Sequence, residues 1–354
     1  KIIVNPSAYL NYLLMILKEI QLITKYKINS QGIKNTLKVL KSSNETKKIA
    51  QSLLSTKSKA IFLGHQILQL EDGDNIKFVA MHIAQATEAT LGLLPGDANS
   101  VGLNELNLNS NNISTDKILS QKKEAYIMMN FDPLYDYHSP KKINDALKNA
   151  KFNLAISPYI SDSFKEFDVV LPMTPFTETS GTFMNMEKRI QSFSAVTPPF
   201  GQARPGWKIL RVLANFLQFE GFLYDSSEDV KADVMIELDK KNEYILIDFK
   251  PSKITKGLET LNLIKANDSD MIVRRASSLH KNKKNQNCCL INPSTMLKEG
   301  LIDGQKIRIS SSEAEVLINV KADENVCSNV IAIFGKQDET FSLGMHNKVK
   351  IKKA

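Results

Sequence analysis

Apolar positions follow two periods along the first two hundred residues. Leu10, Leu13, Leu14 and Leu17 share one face of a helix that Ser7 can cap. The run from Lys59 to Gly64 is a short apolar strand ending in glycine. A second helix is predicted from about Ile76, with Val79, Ile83 and Ala86 spaced for burial, stopping near Gly92. Leu94 to Gly102 (LPGDANSVG) is a turn-rich loop, and the Asn- and Ser-rich Asn107 to Ser114 is expected as a mobile surface loop. Next come apolar strands at 125–131, 152–156 and 167–171, a short helix at 143–149 and an amphipathic helix at 206–217. Continuous apolar runs separated by helices predict parallel strands covered on both faces. Ligands of such sheets bind at the carboxyl ends of the strands, which is where residues 172–189 begin.

The pattern then changes. Residues 225–280 are charged and weakly periodic and read as a connecting segment. From Cys288 onward, short strands and tight turns take over. Leu290-Ile291 leads into an Asn292-Pro293-Ser294 cap and a short helix ending at Gly300, and Asp303-Gly304 turns into Lys306 to Ile309. Glu315 to Val320 and Val330 to Phe334 complete a small β-barrel. The expected organisation is an α/β region at 1–225, a linker at 226–280 and a barrel at 281–354, with no internal repeat. A chain of 354 residues is long enough for two or three domains.

Charge narrows the partners. The net charge of +8 is carried almost entirely by lysine, with arginine only at 189, 204, 211, 274, 275 and 308. Without a dense Arg/Lys stripe interleaved with aromatics, nucleic-acid binding is not expected. The basic run from His280 to Lys284 reads as a solvated linker. The most apolar stretch, Tyr9 to Ile20, is interrupted by Asn11 and Lys18, so no direct membrane span is expected. A start at Lys1 rather than Met suggests a fragment or a C-terminal portion.

The cysteines exclude more chemistry. Cys288 and Cys289 are adjacent and Cys327 is distant, so no zinc or iron–sulfur spacing exists. The apolar neighbours Leu290 and Ile291 point to a buried strand with inert thiols, and the sparse count fits a reducing compartment. The histidines at 65, 82, 138, 280 and 346 are scattered. Asp132, Asp136 and His138 could be imagined as a metal cluster, but Asp is equally a favoured turn residue. No metal site is therefore expected. Ser180 does not sit in a G-x-S-x-G elbow, and no G-x-G-x-x-G follows a strand, so neither a hydrolase nor nicotinamide binding is supported. No catalytic residue is expected in this chain.

The stretch ETSGTFMNMEKR, residues 178–189, carries the sharpest question. Gly181 lets backbone approach an anion, Thr182 and Asn185 offer hydrogen-bond donors, and Arg189 can clamp a phosphate. The opposing reading has Glu178, Asn185 and Arg189 pair with one another and with loop backbone, pinning the connection to the sheet.

This block, the preceding Phe167-Asp168-Val169-Val170-Leu171-Pro172 and the following Arg189, Gln191 and Phe193 resemble the large G subunit of bacterial respiratory complex I, the NADH–quinone oxidoreductase. Pro198-Pro199, Gly201 to Arg211, the 94–102 loop and Val273-Arg274-Arg275-Ala276 match the same family. Asn292-Pro293, Gly300-Leu301, Asp303-Gly304 and Ile307 resemble the molybdopterin-dinucleotide-binding barrel of the wider superfamily. The resemblance runs in order over residues 59–350.

It implies an α/β fold with molybdopterin-oxidoreductase-like, Rossmann-like layers, as in formate dehydrogenase and DMSO reductase, followed by a double-psi-type β-barrel. It also implies a vestigial pterin loop at Gly181, Thr182, Asn185, Glu187 and Arg189, without cofactor in this chain. The 4Fe-4S and 2Fe-2S clusters of the full subunit are expected in a missing N-terminal region. The implied role is structural, among the other peripheral-arm subunits on the cytoplasmic face of the bacterial inner membrane. The alternatives are a catalytic fragment of a working molybdopterin oxidoreductase and a free-standing α/β binding protein on the same fold.

Overall fold

The computed structural model describes residues 2–106, 114–238, 249–252, 257–281, 288–345 and 348–354. The loop expected at Asn107 to Ser114 and the basic run to Lys284 fall outside them, except Ser114, His280 and Lys281; His346 is also outside.

The N-terminal helices α1 (Tyr9–Thr24), α2 (Gln31–Val39) and α3 (Asn44–Ser55) precede strand β1 (Ala60–Leu63). Leu14, Leu17 and Ile20 of α1 are fully buried against Ile33 and Ala50, as the apolar stripe required. Ser7 does not cap this helix. It lies in a 3-10 turn, Pro6–Ala8, and its Oγ donates to Glu259 Oε1 at 2.6 Å while its N–H donates to Oε2 at 3.0 Å. Helix α4 (Gly73–Thr87) stops where Glu88 adopts φ 57°, earlier than expected, and strand β2 (Thr90–Leu93) follows. Thr-Leu-Gly-Leu is too short a run to betray itself in the sequence, yet it pairs parallel with β1 in register Ala60↔Thr90.

His82 lies inside this helical layer. Its Nδ1 is 3.1 Å from the Tyr26 hydroxyl, and its buried Nε2 has no partner. Burial lowers its pKa. Unfolded chains therefore take up the proton first, and stability falls as pH drops below the free-imidazole value of about 6.5. Thermal melts between pH 7 and 5.5 are expected to show this decline, and His82→Leu to flatten it. A decline of unchanged slope in the variant would contradict the assignment.

Helices α5 (Ser100–Glu105) and α6 (Thr115–Ser120) lead to the second sheet. Strand β3 (Ala125–Met129), helix α7 (Pro140–Asn149), strand β4 (Phe152–Ser157) and strand β5 (Val169–Pro172) form a parallel three-stranded sheet in that order. The registers are Ala125↔Phe152 and Leu154↔Val169. The parallel pairing is as the apolar runs predicted, but the cover on both faces is not complete: Ile127, Met129, Phe152 and Val169 are exposed. Two strands, β6 (Gly181–Met184) and β7 (Ile190–Phe193), and helix α8 (Gly206–Phe216) come next.

The stretch expected as a linker is partly structured. It holds helix α9 (Ser227–Leu238), strand β8 (Glu259–Leu263) and helix α10 (Met271–Arg275). Strand β8 belongs to the C-terminal sheet, pairing parallel with Val330–Phe334 in register Val330↔Glu259. Its alternation buries Thr260 on one side and sets Leu261 and Leu263 beside Val330 and Ala332 on the other, so it lacks a continuous apolar signal.

Strand β9 (Cys288–Ile291) and helix α11 (Pro293–Glu299) come next. They are followed by β10 (Lys306–Ser310), β11 (Glu315–Ala322), β12 (Val330–Phe334) and β13 (Lys350–Lys353). The six strands run in the order β13-β10-β11-β9-β12-β8, with β9–β11 and β12–β8 parallel and the other pairs antiparallel. Asn292 caps α11 through its side chain, and Gly300 ends it at φ 64°, both as expected. Cys289 is wholly buried in β9, and burial pushes its thiol up to about 12, so it is an inert core residue. No helix among the described residues is long and apolar enough to cross a membrane.

Candidate functional site

The stretch 178–189 is not an open cradle. Strands β6 and β7 make an antiparallel hairpin in register Gly181↔Phe193 and Met184↔Ile190. Asn185 closes its turn. The carboxamide Oδ1 of Asn185 accepts from Glu187 N–H and Arg189 N–H, both at 2.9 Å, while its own N–H donates to the Arg189 carbonyl at 3.0 Å. Lys188 completes the turn at φ 61°. Arg189 points to solvent, with Nη2 3.7 Å from Glu187 Oε2.

Gly181 and Thr182 sit at the other end. A Cβ on Gly181 would meet Phe193 Cζ at 2.5 Å, so the missing side chain makes room for this protein's own aromatic ring. The Thr182 and Ser192 hydroxyls are bonded to each other at 3.0 Å, and Lys231 Nζ donates to Ser192 Oγ at 2.9 Å. Glu178 Oε2 accepts from Phe200 N–H at 2.9 Å, holding the 194–201 loop against the 3-10 turn Phe176–Glu178. The site residues expected from sequence are thus split: Gly181 and Thr182 at the base of the hairpin, Asn185, Glu187 and Arg189 at its tip. The 94–102 loop meets the hairpin too, since Asn99 Oδ1 accepts from Met184 N–H at 2.9 Å. One face of the hairpin lines a cavity of about 380 Å³ with Leu106, Trp207, Val234 and Met235.

A second constellation lies at the carboxyl edge of the β3–β4–β5 sheet, the position where open α/β sheets take ligands. Asp132 and Asp136 follow β3, Ser161 follows β4, and the arginines of α10 come across to them. Arg275 Nη2 lies 3.3 Å from Asp132 Oδ2 and 3.0 Å from Ser161 Oγ, and Arg274 Nη2 lies 3.0 Å from Asp136 Oδ1. Lys336, just after β12, reaches Asp136 Oδ1 at 3.2 Å, and the other Asp136 oxygen accepts from Asp132 N–H. Asp132 is 0% exposed, and its Oδ1 has no partner. The two guanidinium groups also cover the Tyr135 and Tyr159 rings, at 5.1 and 5.2 Å. A cavity of about 540 Å³ opens here.

His138 is not part of this cluster; its Nε2 lies 3.7 Å from Asp116. Among the described residues, no group of three or more His, Cys, Asp or Glu is placed to hold a metal ion. Sequence reasoning noticed Arg274-Arg275 only through the resemblance, although an adjacent arginine pair in a lysine-rich chain was a local signal. Lys336 had none, being one of many lysines.

Residues 20–216 match the family described as molybdopterin oxidoreductase, and residues 265–349 match the molydopterin dinucleotide binding domain. The chain is 25% identical over 218 residues to the NADH-ubiquinone oxidoreductase 75 kDa subunit of Reclinomonas americana, covering 58% of this chain and 30% of that one. It is 33% identical over 109 residues to the F420-dependent formate dehydrogenase subunit alpha of Methanocaldococcus jannaschii, covering 30% of this chain and 16% of that one. The chain therefore spans less than a third of the length of either relative. The acetylene hydratase of Pelobacter acetylenicus shares the fold, with a TM-score of 0.66 at 12% identity over 96% of this chain and 66% of that one. With more than half of its residues matched by one family model, the chain belongs to the molybdopterin oxidoreductase family.

Proposed function

We propose that the chain is the C-terminal portion of the G subunit of a proton-pumping NADH:quinone oxidoreductase, with a structural and assembly role in the peripheral arm. The assembly passes electrons from NADH to quinone at the cytoplasmic face of the bacterial inner membrane, and its other peripheral-arm subunits are the partners. The observation that carries the reading is the use of the hairpin's polar groups. A phosphate cradle needs open space beside its glycine with donors gathered around it, and this hairpin does not fit that need. Phe193 fills the space beside Gly181, Thr182 is bonded to Ser192, and the remaining donors, the Arg189 guanidinium and the Asn185 amide, lie at the opposite end of the hairpin, where Asn185 Oδ1 closes the turn. The match to the Reclinomonas americana subunit, over 218 residues, supports the same assignment.

In this role the residues act mechanically. Asn99 and Glu178 fasten the hairpin and its following loop to the α/β layer. The bridge Met173↔Arg204 returns the chain beside β5, where α8 begins.

A second reading, a catalytic fragment of a working molybdopterin oxidoreductase, is favoured by the 33% identity to a formate dehydrogenase subunit. Elemental and pterin analysis of the full-length protein purified from its native host separates the two. Iron without molybdenum or tungsten, together with co-purifying NADH:quinone oxidoreductase subunits, is the expected result. Stoichiometric molybdenum or tungsten with an extractable pterin would establish the second reading instead.

A further inference from the structure

The charged cluster at the sheet edge pairs its charges within itself. Its buried or half-buried members are Asp132 and Asp136 against Arg274, Arg275 and Lys336, while the buried Asp268 lends Arg274 its backbone carbonyl and turns its carboxylate to Gln337. They come from separate parts of the chain: the loop after β3, helix α10 with the turn before it, and the turn after β12. Two guanidinium groups and an ammonium converging on one cavity make the usual donor set for an oligophosphate. In this chain that set is already engaged. Arg275 and Arg274 face Asp132 Oδ2 at 3.3 and 3.7 Å, while Arg274 and Lys336 share Asp136 Oδ1 at 3.0 and 3.2 Å.

A carboxylate as deeply buried as Asp132 is tolerable only beside opposite charge. Its unpartnered Oδ1, and the equally unpartnered Nε of Arg274, show a cluster held by charge more than by complete hydrogen bonding. At the rim, exposed Asp162, Asp338 and Glu339 add negative charge.

We propose that Asp132 and Asp136 are internal counter-ions. They occupy, from this chain's own loop, the place between Arg274, Arg275 and Lys336 that the oxygens of an oligoanion would take. The cavity is thereby closed to phosphate-bearing ligands, and the same bonds fasten α10 and the C-terminal sheet to the parallel sheet. The inference rests on the structural role proposed above only in leaving this cavity without a pterin dinucleotide.

The test is to remove the counter-ions and offer a replacement. Asp132→Asn/Asp136→Asn keeps size and one acceptor at each position but removes both carboxylates that pair with the three cations. The whole chain, wild type and variant, is titrated with inorganic pyrophosphate by calorimetry at low ionic strength, and its melting midpoint is followed in parallel. The variant is expected to bind pyrophosphate at least about tenfold more tightly than wild type, since two repelling charges are gone from the site. Its lowered melting midpoint should rise with pyrophosphate, and a further Arg275→Gln should abolish the gain. Equal binding by wild type and variant, or a gain that survives Arg275→Gln, would overturn the proposal. If the double variant does not fold, Asp136→Asn alone gives the same reading: a smaller gain supports the counter-ion role and no gain overturns it. Molybdenum in the wild-type protein would count against the structural reading, whereas the pyrophosphate gain in the variant tests the counter-ions themselves.

Discussion

Asp132→Ala is expected to lower the free energy of unfolding by about 3–5 kcal/mol, because it strips a buried charge partner from two guanidinium groups. Asp132 is wholly buried, and Arg274, only 8% exposed, cannot turn to water without breaking its contacts with Asp136 and the Asp268 carbonyl. The loss therefore comes less from the missing attraction than from Arg275, which is left with only Ser161 and the Met271 carbonyl as acceptors, while Arg274 keeps Asp136. Asp132→Asn retains an acceptor for Arg275 and should cost less. Urea denaturation of the two variants beside wild type checks both values. A loss under about 1 kcal/mol for Asp132→Ala would mean that the pair behaves like an exposed one, contradicting the burial described above.

Ile291→Ala is the second large effect, expected to cost about 2–5 kcal/mol through the cavity it leaves. Ile291 is fully buried near the middle of the C-terminal sheet, where β9 pairs with Ala322 of β11 on one side and Ile331 of β12 on the other. Its neighbours in the core include Ile307, Ile309, Ile318 and Val320, none of which can fill the space without leaving its own strand position. Ile291→Val removes one methylene and should cost about 0.5–1.5 kcal/mol. Denaturant midpoints that place the two variants together, near wild type, would show that this sheet is not packed as a core.

Much of this architecture was legible because burial writes itself as periodicity. The continuous runs at 125–131, 152–156 and 167–171 predicted a parallel sheet covered on both faces; the parallel pairing is there, but Ile127, Met129, Phe152 and Val169 stay exposed, so one face of this three-stranded sheet is only partly covered. Strand β2 and strand β8 escaped because four or five residues of mixed character carry no such signal, and only pairing partners thirty or more residues away make them strands. Ser7 illustrates a different limit: a capping residue is recognisable by type, but its preferred partner, Glu259, lies beyond any local rule.

For the candidate site, the sequence supplied the residues and the structure supplied their allegiances. ETSGTFMNMEKR has the composition of a phosphate loop, yet composition does not say whether donors face outward or inward. Asn185 serves its own turn, and Gly181 yields its space to Phe193, an aromatic twelve residues later whose role no spacing rule foretells. Asp132 and Asp136 read as turn formers, which they are. Their pairing with Arg274, Arg275 and Lys336 joins residues up to two hundred positions apart, and only the folded chain brings them together.

The central claim, a family member that serves an NADH:quinone oxidoreductase as structure and holds no pterin, is tested most directly by metal and pterin analysis of the full-length subunit from its native host. The account predicts iron, no molybdenum or tungsten and no extractable pterin. One molybdenum or tungsten per chain, accompanied by a pterin, would contradict it.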